Sequence, residues 1–153
     1  MKAFLNAASL LWSVRGRMRF GEFSREPLRL LRLEWKSGSV ECDWIMRPAD
    51  PWDSSLPARM AEEHQTLQAL RDAMSLRDMV FECFPEVDHG ALRMFRTSVN
   101  LEPELMMTGF VQRSNEVLPR VASVAMRAKL CGFHFSLAEG VLETMPPMST
   151  GFI

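Results

Sequence analysis

Hydrophobic and polar residues alternate most regularly between Leu28 and Arg47, in two runs separated by Ser37 and Gly38. Apolar, aromatic and β-branched runs around a short Ser-Gly turn are typical of a β-hairpin. A two-residue turn predicts which residues pair across the hairpin. On one face the pairs are apolar: Trp35 with Val40, Leu33 with Cys42, and Leu31 with Trp44. On the opposite face the pairs are charged: Arg32 with Asp43, and Glu34 with Glu41. A three-residue turn would break the apolar face, so the two-residue turn is preferred. The hairpin therefore presents one surface that later helices must cover.

Helical periodicity predicts an amphipathic N-terminal helix over residues 1–14. Its apolar stripe contains Met1, Phe4, Leu5, Ala8, Leu11 and Trp12, and its polar side contains Lys2, Asn6, Ser9 and Ser13. The same residues also resemble a short signal peptide or, because the stretch lacks acids, an organellar transit peptide. A packed helix is favoured, since no small-residue cleavage site precedes the arginines.

Three further helices are predicted. A Pro-rich linker over 48–57 precedes a helix over 56–74 that should cover the hairpin. A capping box at Ser75 and Asp78 predicts a separate helix over 76–84, for which a strand is the alternative. The last helix, over 116–130, follows Ser114 and Asn115.

The remaining segments complete an α+β pattern. A strand over 17–23 would add to the main hairpin, a second hairpin is expected over 91–113, and a strand begins at Phe133. Two hairpin units followed by helices predict an α+β two-layer sandwich with a mostly antiparallel sheet. The chain is interpreted as a single domain over residues 1–153, with a loop-like tail over 143–153.

Composition narrows the function classes without selecting one. The 153 residues are 47% hydrophobic and carry a net charge of −1, and no apolar run reaches the length of a membrane span. Three cysteines do not form a disulfide framework, so a reducing, cytoplasmic compartment is inferred.

Charge is unevenly distributed along the chain. Residues 1–36 carry eight Lys and Arg against three Glu, whereas residues 37–90 carry four Arg against eleven acids. The two segments could neutralise each other within one chain or between two copies. The early arginines could follow a phosphate backbone, but nucleic acid is considered an unlikely partner because the acidic segment could mask them.

Two sets of residues are weak candidates for chemistry. His64, with Glu63 and Arg71 nearby, could be a general base in a cleft, although a histidine on a buried helix face more often belongs to the core. Cys83, His89, Cys131 and His134 have spacings that resemble a zinc site only loosely. No metal or cofactor is therefore expected.

The leading interpretation is a non-enzymatic association module, which interacts with itself or with another protein. The interface is expected at Phe4, Leu5, Leu11 and Trp12, since a terminal helix can dock on a second copy. The alternative is a small-molecule-binding domain or enzyme with a cleft around His64.

Overall fold

A computed structural model describes residues 2–18, 24, 26–36, 38–49, 51–114 and 120–145 of the chain. Its helices are α1 (Lys2–Arg17), α2 (Ala58–Cys83) and α3 (Val124–Leu130), and a short 3₁₀ helix covers Pro51–Ser55. Its strands are β1 (Arg29–Lys36), β2 (Ser39–Ile45), β3 (His89–Thr97), β4 (Pro103–Gln112), β5 (Phe133–His134), β6 (Ser136–Ala138) and β7 (Val141–Glu143).

Within the described residues, five strands form one sheet in the order β1-β2-β3-β4-β5, and β6 pairs with β7 as a small separate hairpin. All neighbouring strands are antiparallel except β2 and β3, which are parallel. The parallel pair follows from α2, because this long helix returns the chain to the end of the sheet at which β2 began. The predicted α+β class with a mostly antiparallel sheet is confirmed, and the two-layer sandwich stays a prediction.

The β1–β2 hairpin has the predicted register over most of its length. The pairs Trp35 with Val40, Leu33 with Cys42, Arg32 with Asp43, and Glu34 with Glu41 all occur. A β-bulge at Leu31 shifts the register beyond Arg32, so that Leu30 pairs with Trp44. The prediction for Leu31 is wrong: the bulge leaves this side chain exposed, and Leu30 packs against the core instead.

The opposite face of the hairpin carries an ion-pair network around Arg32. Its Nε donates to Asp43 Oδ2 at 3.0 Å, and its Nη1 lies 2.9 Å from Glu34 and 3.5 Å from Glu41. The repulsion expected between the two paired glutamates is therefore offset by a shared cation. Arg93 of the adjacent strand β3 donates to both oxygens of Asp43, at 2.9 and 2.6 Å.

The two helices predicted over 56–74 and 76–84 are one continuous helix, α2. The capping box at Ser75 and Asp78 lies inside it, where both residues are exposed. Leu76 and Val80 continue the buried stripe of the preceding turns. Continuous burial against the core therefore outweighs the local capping preference, because burial of each large apolar side chain contributes about 1.5–3 kcal/mol.

Two predicted boundaries are also wrong. The strand expected over 17–23 starts inside α1, which continues to Arg17, and residues 19–23 lie outside the described residues. The helix expected over 116–130 begins at Val124, and residues 120–123 before it are described and are not helical. The Ser123 side chain caps the helix by accepting a hydrogen bond from Met126 N. Residues 115–119 lie outside the description.

The predicted strand from Phe133 is divided between β5 and β6. Gly132 connects α3 to this strand with a φ of +110°, and a Cβ at this position would collide with the Phe110 carbonyl oxygen. Only glycine fits such a close approach without strain. The expected tail begins later than predicted, since Glu143 belongs to β7, and residues 146–153 are not described.

Candidate interaction surface

Helix α1 has two apolar sides, and the structure buries the one that the sequence analysis did not select. Ala7, Leu10 and Val14 are buried in the core. Ser9 and Ser13, which were predicted to face solvent, lie with their Oγ atoms 3.7 Å from Cys83 Sγ of α2. The side of α1 that packs on the core is therefore not the predicted apolar stripe.

The four residues predicted as an interface lie on the outer side of α1. Their exposed fractions are 66% for Phe4, 60% for Leu5, 49% for Leu11 and 74% for Trp12. Because the opposite side of α1 is part of the core, the helix cannot turn these side chains inward without uncovering that core. The stripe is thus fixed toward solvent by the packing of its other side.

The stripe continues into a groove between α1 and the start of β1, with a volume of about 530 Å³. The groove is lined by Ala8, Leu11, Trp12, Val14, Arg15, Leu28, Arg29 and Leu30. Arg15 and Arg29 are exposed, and across the described residues neither forms an ion pair. The groove is therefore apolar at its base and positively charged at its margin.

Two ion pairs join the basic and acidic segments within one chain. Arg17 lies 2.7 Å from Glu82 at the end of α2, and Arg32 holds Asp43. These arginines are consequently less available to a phosphate backbone. Intramolecular neutralisation, one of the two alternatives considered for the uneven charge, is thus present.

His64 lies beside the 3₁₀ helix, with Nδ1 at 3.4 Å from Asp53 Oδ2. Glu63 and Arg71, which the sequence analysis placed near His64, have other positions in the structure. Glu63 pairs with Arg59 at 3.2 Å, and Arg71 lies half-buried two turns further along α2. A carboxylate beside the imidazole is one feature that the enzymatic alternative requires. That alternative stays a prediction.

The four candidate zinc ligands are distributed over separate elements. Cys83 contacts α1, His89 begins β3, Cys131 ends α3 and His134 pairs with Thr108 of β4. In the described part of the chain, no group of three His, Cys, Asp or Glu residues is arranged to hold a metal ion. Burial raises the pKa of the Cys131 thiol, which disfavours the thiolate form that zinc binds.

Sequence analysis missed a buried ionic cluster between β2 and α2. Arg47 Nε lies 3.0 Å from Asp72 Oδ2, and both side chains are almost completely buried. Gln68 Nε2 donates to Asp72 Oδ1 at 2.9 Å, and Arg47 also donates to the carbonyl oxygens of Met18 and Glu26. Burial raises the pKa of Asp72 to about 6, although Arg47 and Gln68 act in the opposite direction. The cluster connects the end of α1 to the core.

Asp43 is a second buried carboxylate, and its pKa is lowered where that of Asp72 is raised. Burial alone would raise the pKa of Asp43, but hydrogen bonds from Arg93 and Arg32 outweigh it and hold the pKa below its usual value. Asp43 is therefore a permanently charged structural group of the sheet at neutral pH.

Comparisons with protein families, with characterised proteins and with solved structures found no match for this chain. Among the described residues, no helix combines the length and apolar character that crossing a membrane requires.

Proposed function

We propose that the protein is an association module that forms a homodimer through the outer stripe of α1 and the adjoining groove. The observation that carries the proposal is the contiguous exposure of Phe4, Leu5, Leu11 and Trp12 on a helix whose other side is in the core. Isolated exposed apolar residues are common, but a contiguous apolar patch usually marks an interaction site.

A second copy of the chain is the proposed partner, because twofold dimers are the commonest solution for a self-complementary patch. Apolar contact should supply most of the affinity, since Arg17 and Arg32 already have intramolecular partners. Dimerisation should therefore depend only weakly on salt. We also propose a cytoplasmic location, which the three free cysteine thiols support.

The test compares two tryptophan substitutions by light scattering across micromolar concentrations. Trp12→Ser removes the largest side chain of the stripe and should shift the chain toward monomer. Trp52→Ser is the matched control, because Trp52 is similarly exposed, at 68%, but lies on the 3₁₀ helix. Deletion of α1 is unsuitable, since it would also remove Leu10 and Val14 from the core. Equal association of both variants would contradict the proposal.

A further inference from the structure

The turn between β3 and β4 presents two large apolar side chains directly to solvent. Val99 is 100% exposed and Leu101 is 83% exposed. The turn has a defined conformation: Ser98 Oγ accepts hydrogen bonds from the backbone N–H groups of Asn100 and Glu102, at 3.3 and 3.2 Å. Two backbone hydrogen bonds, from Leu101 N to Ser98 O and from Ser98 N to Glu102 O, close it further.

Leu101 adopts a left-handed backbone conformation, with a φ of +62°. Leucine is disfavoured there, and glycine or asparagine would fit with less strain. The left-handed conformation of Leu101 therefore costs stability, and its apolar side chain gains no burial within the chain in return. We call Val99 and Leu101 the knob.

The knob and the α1–β1 groove lie at the same end of the sheet. Arg29, at the start of β1, is in register with Ile45 of β2, which is in register with Phe95 of β3. The chain reaches the knob only a few residues after Phe95. Since neighbouring strands are about 4.8 Å apart, β1 and β3 are separated by about 10 Å.

The two features are complementary in chemistry. The groove has an apolar base with space for a valine and a leucine side chain, and Arg15 and Arg29 lie at its margin. The knob is followed by Glu102, which is exposed and which, over the residues described, has no ion-pair partner. The apolar knob of one copy, with Glu102 beside it, therefore complements the apolar base of the groove of another copy, with Arg15 and Arg29 at its margin.

We propose that the knob of each protomer inserts into the α1–β1 groove of its partner, so that the dimer contains this contact twice. The inference rests on the proposed function and specifies how the two copies meet. Because the knob and the groove lie at the same end of the sheet, a single twofold axis can form both contacts and close the assembly. The apolar side chains supply affinity, and Glu102 with Arg29 orients the contact.

The first test removes the apolar knob without disturbing its turn. Val99→Ser combined with Leu101→Asn should weaken dimerisation by roughly tenfold or more, measured by sedimentation equilibrium. Asparagine adopts the left-handed conformation readily, so the variant should fold. The matched control combines Met126→Ser with Leu130→Ser, two exposed residues of α3, and should leave the dissociation constant unchanged.

The second test reverses the charges. Glu102→Arg alone and Arg29→Glu alone should each weaken dimerisation by about two- to fivefold, and the combined variant should restore it. A dimer that is insensitive to the knob variant and to charge reversal, but is lost in Trp12→Ser, would overturn this inference and leave the proposed function intact. A monomeric unmodified chain would overturn both.

Discussion

Replacing Asp72 with asparagine should remove a pH dependence of the free energy of unfolding between about pH 4 and pH 7. Burial raises the pKa of Asp72 from 3.8 to about 6 in the folded chain. The folded chain therefore binds this proton more tightly than the unfolded chain does. The contribution of Asp72 to stability is fully present below pH 3.8, the pKa of the group in the unfolded chain. It is lost as the pH rises through about 6, the pKa in the folded chain.

The size of the effect follows from the two pKa values. A difference of about two pKa units corresponds to about 3 kcal/mol of unfolding free energy. Solvent screening should reduce this little, since the Asp72 side chain is only 5% exposed. The pKa of about 6 already includes the ion pair with Arg47, because the attraction of Arg47 lowers the pKa of Asp72 and burial raises it.

Urea denaturation of the native chain and of Asp72→Asn at several pH values isolates this carboxyl, because the remaining groups titrate in both proteins. The unfolding free energy of the native chain, minus that of the variant, should fall by about 2 kcal/mol from pH 4 to pH 7, since part of the full effect lies below pH 4. Asp78→Asn, on the same helix but exposed, controls for a changed charge on α2. A difference that rises with pH would refute the reasoning, because attraction by Arg47 would then outweigh burial.

Three further outcomes are expected. Trp44→Ala should cost about 3–5 kcal/mol in chemical denaturation, whereas Leu31→Ala should cost under about 0.5 kcal/mol, and equal costs would contradict the bulge. Arg113→Ala should lower the free energy of unfolding by about 2 kcal/mol, because the guanidinium of Arg113 donates to three carbonyl oxygens at the end of α2 and just beyond it. An unchanged melting temperature would argue against this cap. Metal analysis of protein purified without added metal should find no stoichiometric zinc, and one zinc per chain that Cys131→Ser removes would overturn this prediction.

The hairpin register was predictable because the Ser-Gly turn and the apolar alternation are local. The bulge was not, since Leu30 and Leu31 are chemically identical and either could face Trp44. The choice between them depends on contacts of β2 with the rest of the core. The long helix α2 was divided wrongly for a related reason: the capping box at Ser75 is local, whereas continuous burial is a property of the tertiary structure.

The surface of α1 shows a different limit of sequence reasoning. Both sides of this helix carry apolar residues, and periodicity alone cannot decide which side is buried. The structure buries the narrower side with Ala7, whose small side chain permits close packing, and leaves Trp12 outside. The buried ion pair between Arg47 and Asp72 was missed because the two residues are far apart in sequence. Both are also residue types that usually lie on the surface.

Sedimentation equilibrium of the unmodified chain across micromolar concentrations tests the central claim most directly. Self-association through the apolar stripe of α1 predicts a reversible dimer, with twice the mass of the 17.5 kDa chain, at both low and high salt. A mass that stays at 17.5 kDa over the whole range would contradict it.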